Sequence, residues 1–278
     1  MILLADSGSS KTHWVLKSKD GLKEFHTKGI NPFFVTPEFV HSELDFAGIG
    51  SFKSKISKII FYGASCSSDD RKQYIHDIFQ DYFPNAEEIM IDHDMVASCL
   101  ALFGNKPGIA CIIGTGSNSC VWNGQVITSN VPALGYILGD EASGAAIGKE
   151  ILKHYIYETL PTEIHEYIYK EYGLKKDDIF NAVYKQELPN RFLASFSKVA
   201  SVFRQDNFIQ QLIRNGFRDF IQFHIICYPE SKTLPIGSVG SIAEVFREEL
   251  ESELAQFNLN LNIVIKEPIG NLVKFHFG

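Results

Sequence analysis

The sequence predicts an α/β protein with two related domains that flank a central cleft. Residues 1–16 read as a short apolar strand, a turn of small and hydroxyl-bearing residues, and a second strand. Residues 108–122 repeat this order. A turn of this composition exposes backbone N–H groups, and the resulting concavity binds phosphate well. Because each copy opens one half of the chain, we expect two domains that face a single nucleotide.

The composition indicates a folded protein and excludes several classes of function. The chain has 278 residues, a length that is enough for two domains with a sizeable core. Of these residues 45% are hydrophobic and 21% are charged, as in folded globular proteins. A net charge of −7 argues against nucleic-acid binding, which needs a basic surface. No apolar run approaches the roughly 20 residues that span a bilayer. The chain starts directly on a strand, so we expect no signal peptide, no membrane partner and a cytoplasmic location.

The cysteines predict neither a disulfide framework nor a zinc site. Their number is odd, their spacing is wide and their neighbours are apolar, which is typical of buried, reduced thiols. The five are Cys66, Cys99, Cys111, Cys120 and Cys227.

The first turn carries candidate residues for metal and phosphate binding. Asp6 ends the first strand and is placed to hold Mg²⁺ through water, in the manner that ion prefers. An ordinary hairpin turn would have a similar composition, so the turn alone does not decide between the two interpretations. The candidate phosphate ligands are Gly8, Ser9, Ser10, Lys11 and Thr12.

Two commoner phosphate motifs do not match. The first turn lacks the upstream glycine and the Gly-Lys step of a Walker A loop. In the second turn, Ser119 stands where the dinucleotide fingerprint needs its third glycine. A strand follows each turn where both motifs require a helix. Neither a P-loop NTPase nor a Rossmann dehydrogenase therefore fits.

Strands and helices alternate through the first half of the chain. Thr36 and Pro37 predict a helix start, because Thr caps helix N-termini and Pro suits the first helical position. An amphipathic pattern predicts a helix over 69–83, and a small-residue helix follows from Met95 to Phe103. Apolar runs predict strands over 22–27, 58–62 and 86–91.

The second half adds more helix. The turn cluster at 104–108 predicts a domain boundary. Long helices are predicted over 142–158 and 207–228, the second with an apolar stripe typical of a core face. Residues 161–203 are predicted to be helical, and no chemistry can be read from them. Later strands are predicted over 233–236 and 261–267.

The two turns together resemble a known superfamily. DSGSSKT at 6–12 and IIGTGSNS at 112–119 are similar to the two phosphate loops of the actin–hexokinase–heat-shock chaperone superfamily. Within it, the chain particularly resembles N-acetylglucosamine kinases and their relatives, the activator ATPases of 2-hydroxyacyl-CoA dehydratases. The resemblance implies two ribonuclease-H-like (actin-like ATPase) domains, residues 1–106 and 107–278, the second with helical additions. It also implies that ATP and Mg²⁺ are bound, with phosphate contacts from Gly114, Thr115, Gly116 and Ser117.

Asp94 is the catalytic base that the resemblance implies. It stands where a strand is predicted to end and a helix to begin. In the kinases that the chain resembles, an Asp at this junction accepts the proton of a sugar hydroxyl during phosphoryl transfer. A helix N-cap would also explain Asp94, and Asp92 is the competing carboxylate.

The resemblance also implies sugar contacts. Asn31, between the third strand and Pro32, matches an Asn that contacts the sugar, although it could equally be a turn residue. Asp140 lies in residues 135–143, which match the signature G-x-x-x-G-D-E-[GA]-S, and it could alternatively serve the dipole of the following helix. The full implied set of sugar contacts is Asn31, Ser65, Asp94, Thr115, Gly116 and Asp140.

A late glycine turn resembles the adenosine-binding motif of the superfamily. Its glycines would let adenine lie flat on the backbone, whereas a simple strand–helix turn is the alternative interpretation. The residues concerned are Gly237, Ser238 and Gly240.

The predicted function is an ATP-dependent kinase of an amino sugar, with N-acetylglucosamine and its 6-hydroxyl as the leading expectation. Two alternatives stay open: an activator ATPase of the dehydratase type, and a sugar or nucleotide sensor that has lost catalysis. The expected partners are a small amino sugar and ATP, and a homodimer is left open. Glucosamine, N-acetylmannosamine, N-acetylmuramate and glucose are further candidate substrates, because specificity depends on pocket shape.

Overall fold

A computed structural model describes residues 1–8 and 10–278 of the chain. These residues form two compact units, residues 1–104 together with 268–278, and residues 105–267. Each unit contains one five-stranded mixed sheet. Across the described residues, no helix combines the length and apolar character that a membrane crossing requires.

The sheet of the first unit begins with a three-stranded antiparallel meander. The central strand of the whole sheet, Ile2–Ser7, is packed on both faces, since Leu3, Leu4 and Ala5 are all fully buried. The strands are β1 (Ile2–Ser7), β2 (Lys11–Ser18), β3 (Gly21–Lys28), β4 (Lys58–Gly63) and β5 (Glu88–His93). Their order in the sheet is β3-β2-β1-β4-β5, with β4 parallel to β1 and β5 parallel to β4.

Three helices connect these strands in the first unit. The helices are α1 (Pro37–Phe46), α2 (Asp69–Tyr82) and α3 (Asp94–Phe103), with a 3₁₀ turn at Ile49–Phe52. The start of α1 is as predicted, because the Thr36 hydroxyl accepts a hydrogen bond from the Phe39 N–H at 3.3 Å. Trp14, Phe61 and Phe79 pack edge-on or tilted to one another in the core beneath the sheet.

The second unit repeats the same sheet topology. Its strands are β6 (Gly108–Ile113), β7 (Ser117–Trp122), β8 (Ile127–Asn130), β9 (Ile236–Val239) and β10 (Leu261–Ile265). The order is β8-β7-β6-β9-β10, again a meander followed by two parallel additions. The repeated order supports the expectation of two related domains.

Helices make up much of the second unit. Its core is formed by aliphatic and aromatic side chains, including Phe217, Phe220 and Ile221 on the long helix α10. The helices are α4 (Gly135–Leu138), α5 (Gly144–Ile156), α6 (Thr162–Tyr172), α7 (Lys176–Tyr184), α8 (Pro189–Ser195), α9 (Ser197–Val202), α10 (Asn207–His224), α11 (Ser241–Val245) and α12 (Arg247–Gln256), with a 3₁₀ turn at Pro229–Lys232.

The end of the chain returns to the first unit, unlike the predicted division into 1–106 and 107–278. Helix α13 (Ile269–Phe277) packs on α3, and the Asn271 amide donates to the Ala101 carbonyl at 2.9 Å. The Tyr62 hydroxyl hydrogen-bonds His276 Nε2 at 3.0 Å. Burial of Ile269 and Leu272 against the first unit gives the physical reason for this placement.

Candidate active site

The first hairpin turn is braced from inside by hydroxyl groups. Ser7 and Thr12 pair across β1 and β2, and their hydroxyls lie 2.7 Å apart with both side chains fully buried. The Thr12 hydroxyl also donates to the Lys28 carbonyl at 3.1 Å. The Gly8 N–H donates to the Lys11 carbonyl at 3.0 Å, which closes the turn. Thr12 and the Gly8 N–H therefore stabilise the hairpin rather than point to solvent.

The exposed part of this turn is its tip. Ser10 and Lys11 are exposed, and the Ser10 carbonyl accepts from the Gly29 N–H at 3.1 Å. Ser9, also predicted to contact phosphate, lies outside the described residues. Asp6 is half-buried at the end of β1, opposite His13 on β2 and Tyr62 on β4. A carboxylate at a strand end beside an exposed turn offers the hard oxygen donors that Mg²⁺ prefers.

Two predicted sugar contacts meet each other. The Asn31 side-chain amide donates to the Ser65 hydroxyl at 3.2 Å, although 34 positions separate them in the chain. The Asn31 carbonyl oxygen Oδ1 accepts from the Phe33 N–H at 3.0 Å, so Asn31 is also the turn residue of the alternative interpretation. Ser65 has a φ of 68°, in the left-handed region. The turn after β4 thus presents Ser65 beside Asn31.

Two exposed aromatic rings lie next to Asn31 in the chain, and they were not predicted as site residues from the sequence. Phe33 and Phe34 are 64% and 71% exposed, and the Arg71 guanidinium lies 4.9 Å from the Phe33 ring centre. Adjacent exposed apolar side chains with polar groups at their rim are typical of binding surfaces. The signal available in the sequence was the pair of aromatics directly after Asn31-Pro32, in a stretch with no helical or strand periodicity.

The two candidate carboxylates after β5 have different partners. Asp92 Oδ1 accepts from Lys72 Nζ at 2.8 Å and from the His93 N–H at 2.8 Å. Asp94 is the first residue of α3, and His93 occupies the N-cap position without a capping side-chain bond. Asp94 Oδ1 lies 3.2 Å from His93 Nε2. Asp92 is therefore held in an ion pair with a lysine, whereas among the described residues the Asp94 carboxylate pairs only with the ring of its neighbour His93.

A cysteine close to these carboxylates is chemically inert. Cys66 is fully buried, and burial followed by the negative charge of Asp94 raises the pKa of its thiol to about 12. The thiol therefore stays protonated at neutral pH and offers no competing base or nucleophile.

The second hairpin turn, residues 114–117, is fixed by the start of α5. The carbonyls of Gly114 and Thr115 accept from the N–H groups of Gly144 at 2.7 Å and Ala145 at 3.1 Å. The Ser143 hydroxyl caps α5 by accepting from the Ala146 N–H at 3.1 Å. The helix start therefore orients the turn by its carbonyl groups.

Asp140 packs directly against this turn. Its Oδ1 accepts from the Ser117 N–H at 3.2 Å, and a Cβ built on Gly116 would lie 3.1 Å from either carboxylate oxygen. Glycine at position 116 permits this close approach. The Ser117 hydroxyl is buried and has no hydrogen-bond partner among the described residues, so a polar group is available at the base of the turn.

Burial has an electrostatic consequence at Asp140. Burial, together with the neighbouring Glu141 charge, raises the pKa of the Asp140 carboxyl, while the Ser117 N–H opposes the shift. A raised pKa in the folded state means that the ionised form costs folding free energy, and that this cost is fully present above the folded pKa.

Asp140→Asn should therefore raise the thermal midpoint at pH 7, because the amide oxygen still accepts from Ser117 without burying a charge. The gain should shrink as the pH falls through the folded pKa of Asp140, because the wild-type carboxyl then becomes neutral as well. Thermal melts of both proteins from pH 7 to pH 4 check this. A gain of the same size at both ends would contradict the electrostatic explanation.

Glu141 forms a separate buried network. Its carboxylate lies 3.0 Å from His224 Nε2, and His224 stacks on Phe220 with ring centres 4.7 Å apart. The Tyr228 hydroxyl lies 2.9 Å from the Ser119 hydroxyl and accepts from the Val131 N–H at 2.9 Å. Glu141 thus contacts the end of α10, whereas the neighbouring Asp140 faces the turn.

The late glycine turn differs from its predicted form. Gly237 and Ser238 lie inside β9, paired with Ala110 and Cys111 of β6, and both are buried. Parallel pairing on both sides overrides the turn preference of Gly and Ser at these positions. Only Gly240 lies at the turn, at a φ of 133°.

Gly240 lies against the second hairpin turn. A Cβ there would be 2.2 Å from the Ile113 carbonyl oxygen and 3.1 Å from the Gly114 N. Gly240→Ala should therefore destabilise the protein by at least about 2–3 kcal/mol, because the left-handed φ and a backbone clash add up. Urea unfolding measures this, with Gly270→Ala as the matched control, since no atom lies within 4 Å of a Cβ there. Equal stability of the two variants would show that the turn yields to the added methyl group.

No family model and no curated protein matches this chain. The structure is similar to that of a candidate N-acetylglucosamine kinase from Porphyromonas gingivalis, with a TM-score of 0.93 and 36% identity over 99% of this chain and 98% of that one. A candidate N-acetylglucosamine kinase from Chromobacterium violaceum gives a TM-score of 0.72 at 16% identity, over 99% and 98% of the two chains. A ROK family glucokinase from Streptomyces griseus, solved with glucose and AMPPNP, gives 0.57 at 11% identity over 99% and 97%.

The repeated sheet order, the two hairpin turns and these whole-length likenesses define a member of the actin-like ATPase superfamily. The predicted fold of two ribonuclease-H-like domains is thereby confirmed. Within the superfamily, the chain belongs to the N-acetylglucosamine kinase family, because it shares 36% identity with the Porphyromonas protein along nearly the full length of both.

Proposed function

We propose that the protein is an ATP-dependent sugar kinase that phosphorylates N-acetylglucosamine on its 6-hydroxyl. The observation that carries the proposal is the contrast between Asp92, which is paired with Lys72, and Asp94, which in the part of the chain that the structure describes faces only the His93 ring. A general base must be able to accept a proton, and a carboxylate already neutralised by a lysine is poorly suited to this. Asp94 is therefore the group to which we assign catalysis.

The proposed chemistry needs one proton transfer and one phosphoryl transfer. The sugar hydroxyl oxygen forms a bond to the γ-phosphorus of ATP while the bond to the ADP oxygen breaks, and Asp94 accepts the hydroxyl proton. The adjacent His93 Nε2 at 3.2 Å can hold the Asp94 carboxylate in position for this transfer. Positioning and charge neutralisation supply most of the acceleration in such reactions.

Sugar recognition is assigned to the groups around Asn31. Asn31 and Ser65 form a polar pair, and the exposed Phe33 and Phe34 rings lie next to them in the chain. Sugars combine hydroxyl edges with apolar C–H faces, so a polar pair beside exposed rings suits them chemically. Asp140 in the second unit, with Thr115 and Gly116, stays a proposed further contact.

Nucleotide binding is assigned to both turns. In the first unit the exposed Ser10 and Lys11, and in the second unit the turn at residues 114–117 with its Ser117 hydroxyl, each offer polar groups of the kind that bind phosphate. The Asp6 carboxylate fits Mg²⁺ by its oxygen donors, and that ion would neutralise phosphate charge during transfer. The Streptomyces glucokinase, which shares the fold, was solved with glucose and AMPPNP.

The activator ATPase is less well supported by the cysteines. Cys66, Cys99, Cys111 and Cys120 are buried within the units and only Cys227 is exposed. The activator ATPases that the chain resembles carry a [4Fe–4S] cluster on cysteines at a dimer interface, and such a shared cluster needs thiols at the surface. Cys111 is buried, and burial raises its thiol pKa, which disfavours the thiolate that would ligate iron.

Coupled ADP release across a panel of sugars tests the proposed function. The panel is N-acetylglucosamine, glucosamine, N-acetylmannosamine, N-acetylmuramate and glucose, each against a no-sugar control. We expect ADP release to depend on sugar and to be fastest with N-acetylglucosamine. Equal release with and without every sugar would instead support an ATPase.

Ser65→Ala should raise the KM for the sugar by about 2- to 10-fold with little change in the KM for ATP, since one hydrogen bond of about 0.5–1.5 kcal/mol is lost. Ser67→Ala is the matched control, because this hydroxyl is exposed two positions away and accepts from Arg71 at 2.9 Å. Steady-state kinetics with each substrate varied in turn distinguishes them. Equal sugar KM values for both variants would remove Ser65 from the sugar site.

A further inference from the structure

Three potential metal ligands lie together on the meander of the first unit. His13 on β2 is directly opposite His26 on β3, and Glu24 lies two residues before His26 on the same strand. Residues two apart in a strand share one face of the sheet, as do directly opposed residues. The pairing register therefore places all three side chains on one face, and no role in the proposed reaction has been assigned to any of them.

The ligand atoms are already close. His13 Nε2 lies 2.9 Å from Glu24 Oε2, and the His13 and His26 ring centres are 4.2 Å apart. One ligand atom from each residue can be chosen so that all three lie within 4.8 Å of one another. The His13 side chain is only 13% exposed, whereas that of Glu24 is 64% exposed. The cluster therefore has one buried ligand, His13, and is accessible to solvent on the side of Glu24.

We propose that His13, Glu24 and His26 bind one divalent transition-metal ion, with Zn²⁺ as the best match. Imidazole nitrogens and a carboxylate oxygen are zinc ligands, and three protein ligands leave a fourth position for water. Bonds of about 2.0–2.1 Å place tetrahedral ligand atoms roughly 3.3 Å apart. His26 and Glu24 are exposed and can close the remaining gap by rotation about their side-chain bonds.

Nearby charges set the expected strength and selectivity. Lys11 and Lys28 are directly opposite each other on the same two strands, two residues away from His13 and His26, and therefore share the face of the cluster. Lys28 Nζ is partly neutralised by Glu43 at 3.1 Å. These lysines weaken binding of any cation, so the site depends on imidazole coordination. Mg²⁺ prefers oxygen ligands and should not compete for it.

The cluster lies beside the proposed Mg²⁺ position. Asp6 on β1 is directly opposite His13, so it shares the face of the cluster on the neighbouring strand. The two positions differ in ligand type, because Asp6 supplies oxygen and the cluster supplies two nitrogens. A test of the cluster must therefore show that zinc binding does not need Asp6.

Isothermal titration of the tag-free full chain with ZnCl₂ tests the proposal. We expect one zinc per chain in the wild type. His26→Ala and Glu24→Gln should each weaken it at least about 100-fold, since loss of even an outer-shell partner costs 10–100-fold. Asp6→Asn should bind zinc like the wild type, as should His76→Ala, an unrelated histidine on α2, and Cys227→Ser, which removes the exposed thiol.

Unchanged zinc binding in both His26→Ala and Glu24→Gln would overturn the proposal, as would loss of binding in Asp6→Asn or Cys227→Ser. Circular dichroism of each variant checks the fold, and the exposure of His26 and Glu24 makes unfolding on substitution unexpected. Co²⁺ titration gives a second readout, because visible bands that report nitrogen coordination should appear in the wild type and be lost in His26→Ala. Bands of equal intensity in both would contradict the assignment of His26.

Discussion

Asp94→Asn should lower the rate of sugar phosphorylation by about 10²–10⁴-fold, the usual cost of removing a general base. The amide keeps the size and hydrogen-bonding shape of the carboxylate but accepts no proton at neutral pH. Because Asp94 is the first residue of α3 and does not act as its cap, the fold should tolerate the change. Sugar and ATP should still bind, which calorimetry with each ligand measures alongside turnover.

Asp92→Asn is the matched control for that experiment. It removes the ion pair with Lys72, so it should reduce stability modestly while leaving most of the turnover intact. Near-wild-type turnover in Asp94→Asn together with a large loss in Asp92→Asn would reassign the base to Asp92.

Asp6→Asn should lower turnover by at least about 10²-fold and raise the Mg²⁺ concentration needed for half-maximal rate. The reason is that a neutral amide cannot replace the charge that holds a divalent ion beside the phosphates. Turnover measured against Mg²⁺ concentration at fixed ATP separates weaker metal binding from slower chemistry. Asp20→Asn, an exposed acid in the turn between β2 and β3, provides a control of equal charge change.

If Asp6→Asn left both the rate and its Mg²⁺ dependence unchanged, Asp6 would be a residue of the turn alone. In that case, the metal would have to be held by another carboxylate, and the first hairpin would lose its proposed role in catalysis.

The sequence was sufficient to predict the hairpins, because strand character resumes directly after each run of small residues. It was also sufficient for the start of α1, where Thr36 and Pro37 are local signals. It could not predict that the Thr12 hydroxyl would turn inward to Ser7, since that depends on the pairing of β1 with β2. The local elements could therefore be predicted from the sequence, whereas the direction of the Thr12 side chain at the turn could not.

Long-range pairing accounts for the remaining differences. Gly237 and Ser238 have the local preferences of a turn, and only their position between β6 and β10 makes them a strand. The contact of Asn31 with Ser65 joins residues from two separate turns, which no local pattern reports. The packing of α13 on α3 was likewise missed, because an apolar helix face does not specify the surface it will cover.

Phosphorus NMR of a reaction with the wild-type chain, ATP, Mg²⁺ and N-acetylglucosamine tests the central claim most directly. We predict that the γ-phosphate resonance of ATP is lost and that a phosphomonoester appears, coupled to the protons on carbon 6 of the sugar. Its appearance should require Asp94. Release of inorganic phosphate without any phosphomonoester would contradict the account and identify the protein as an ATPase.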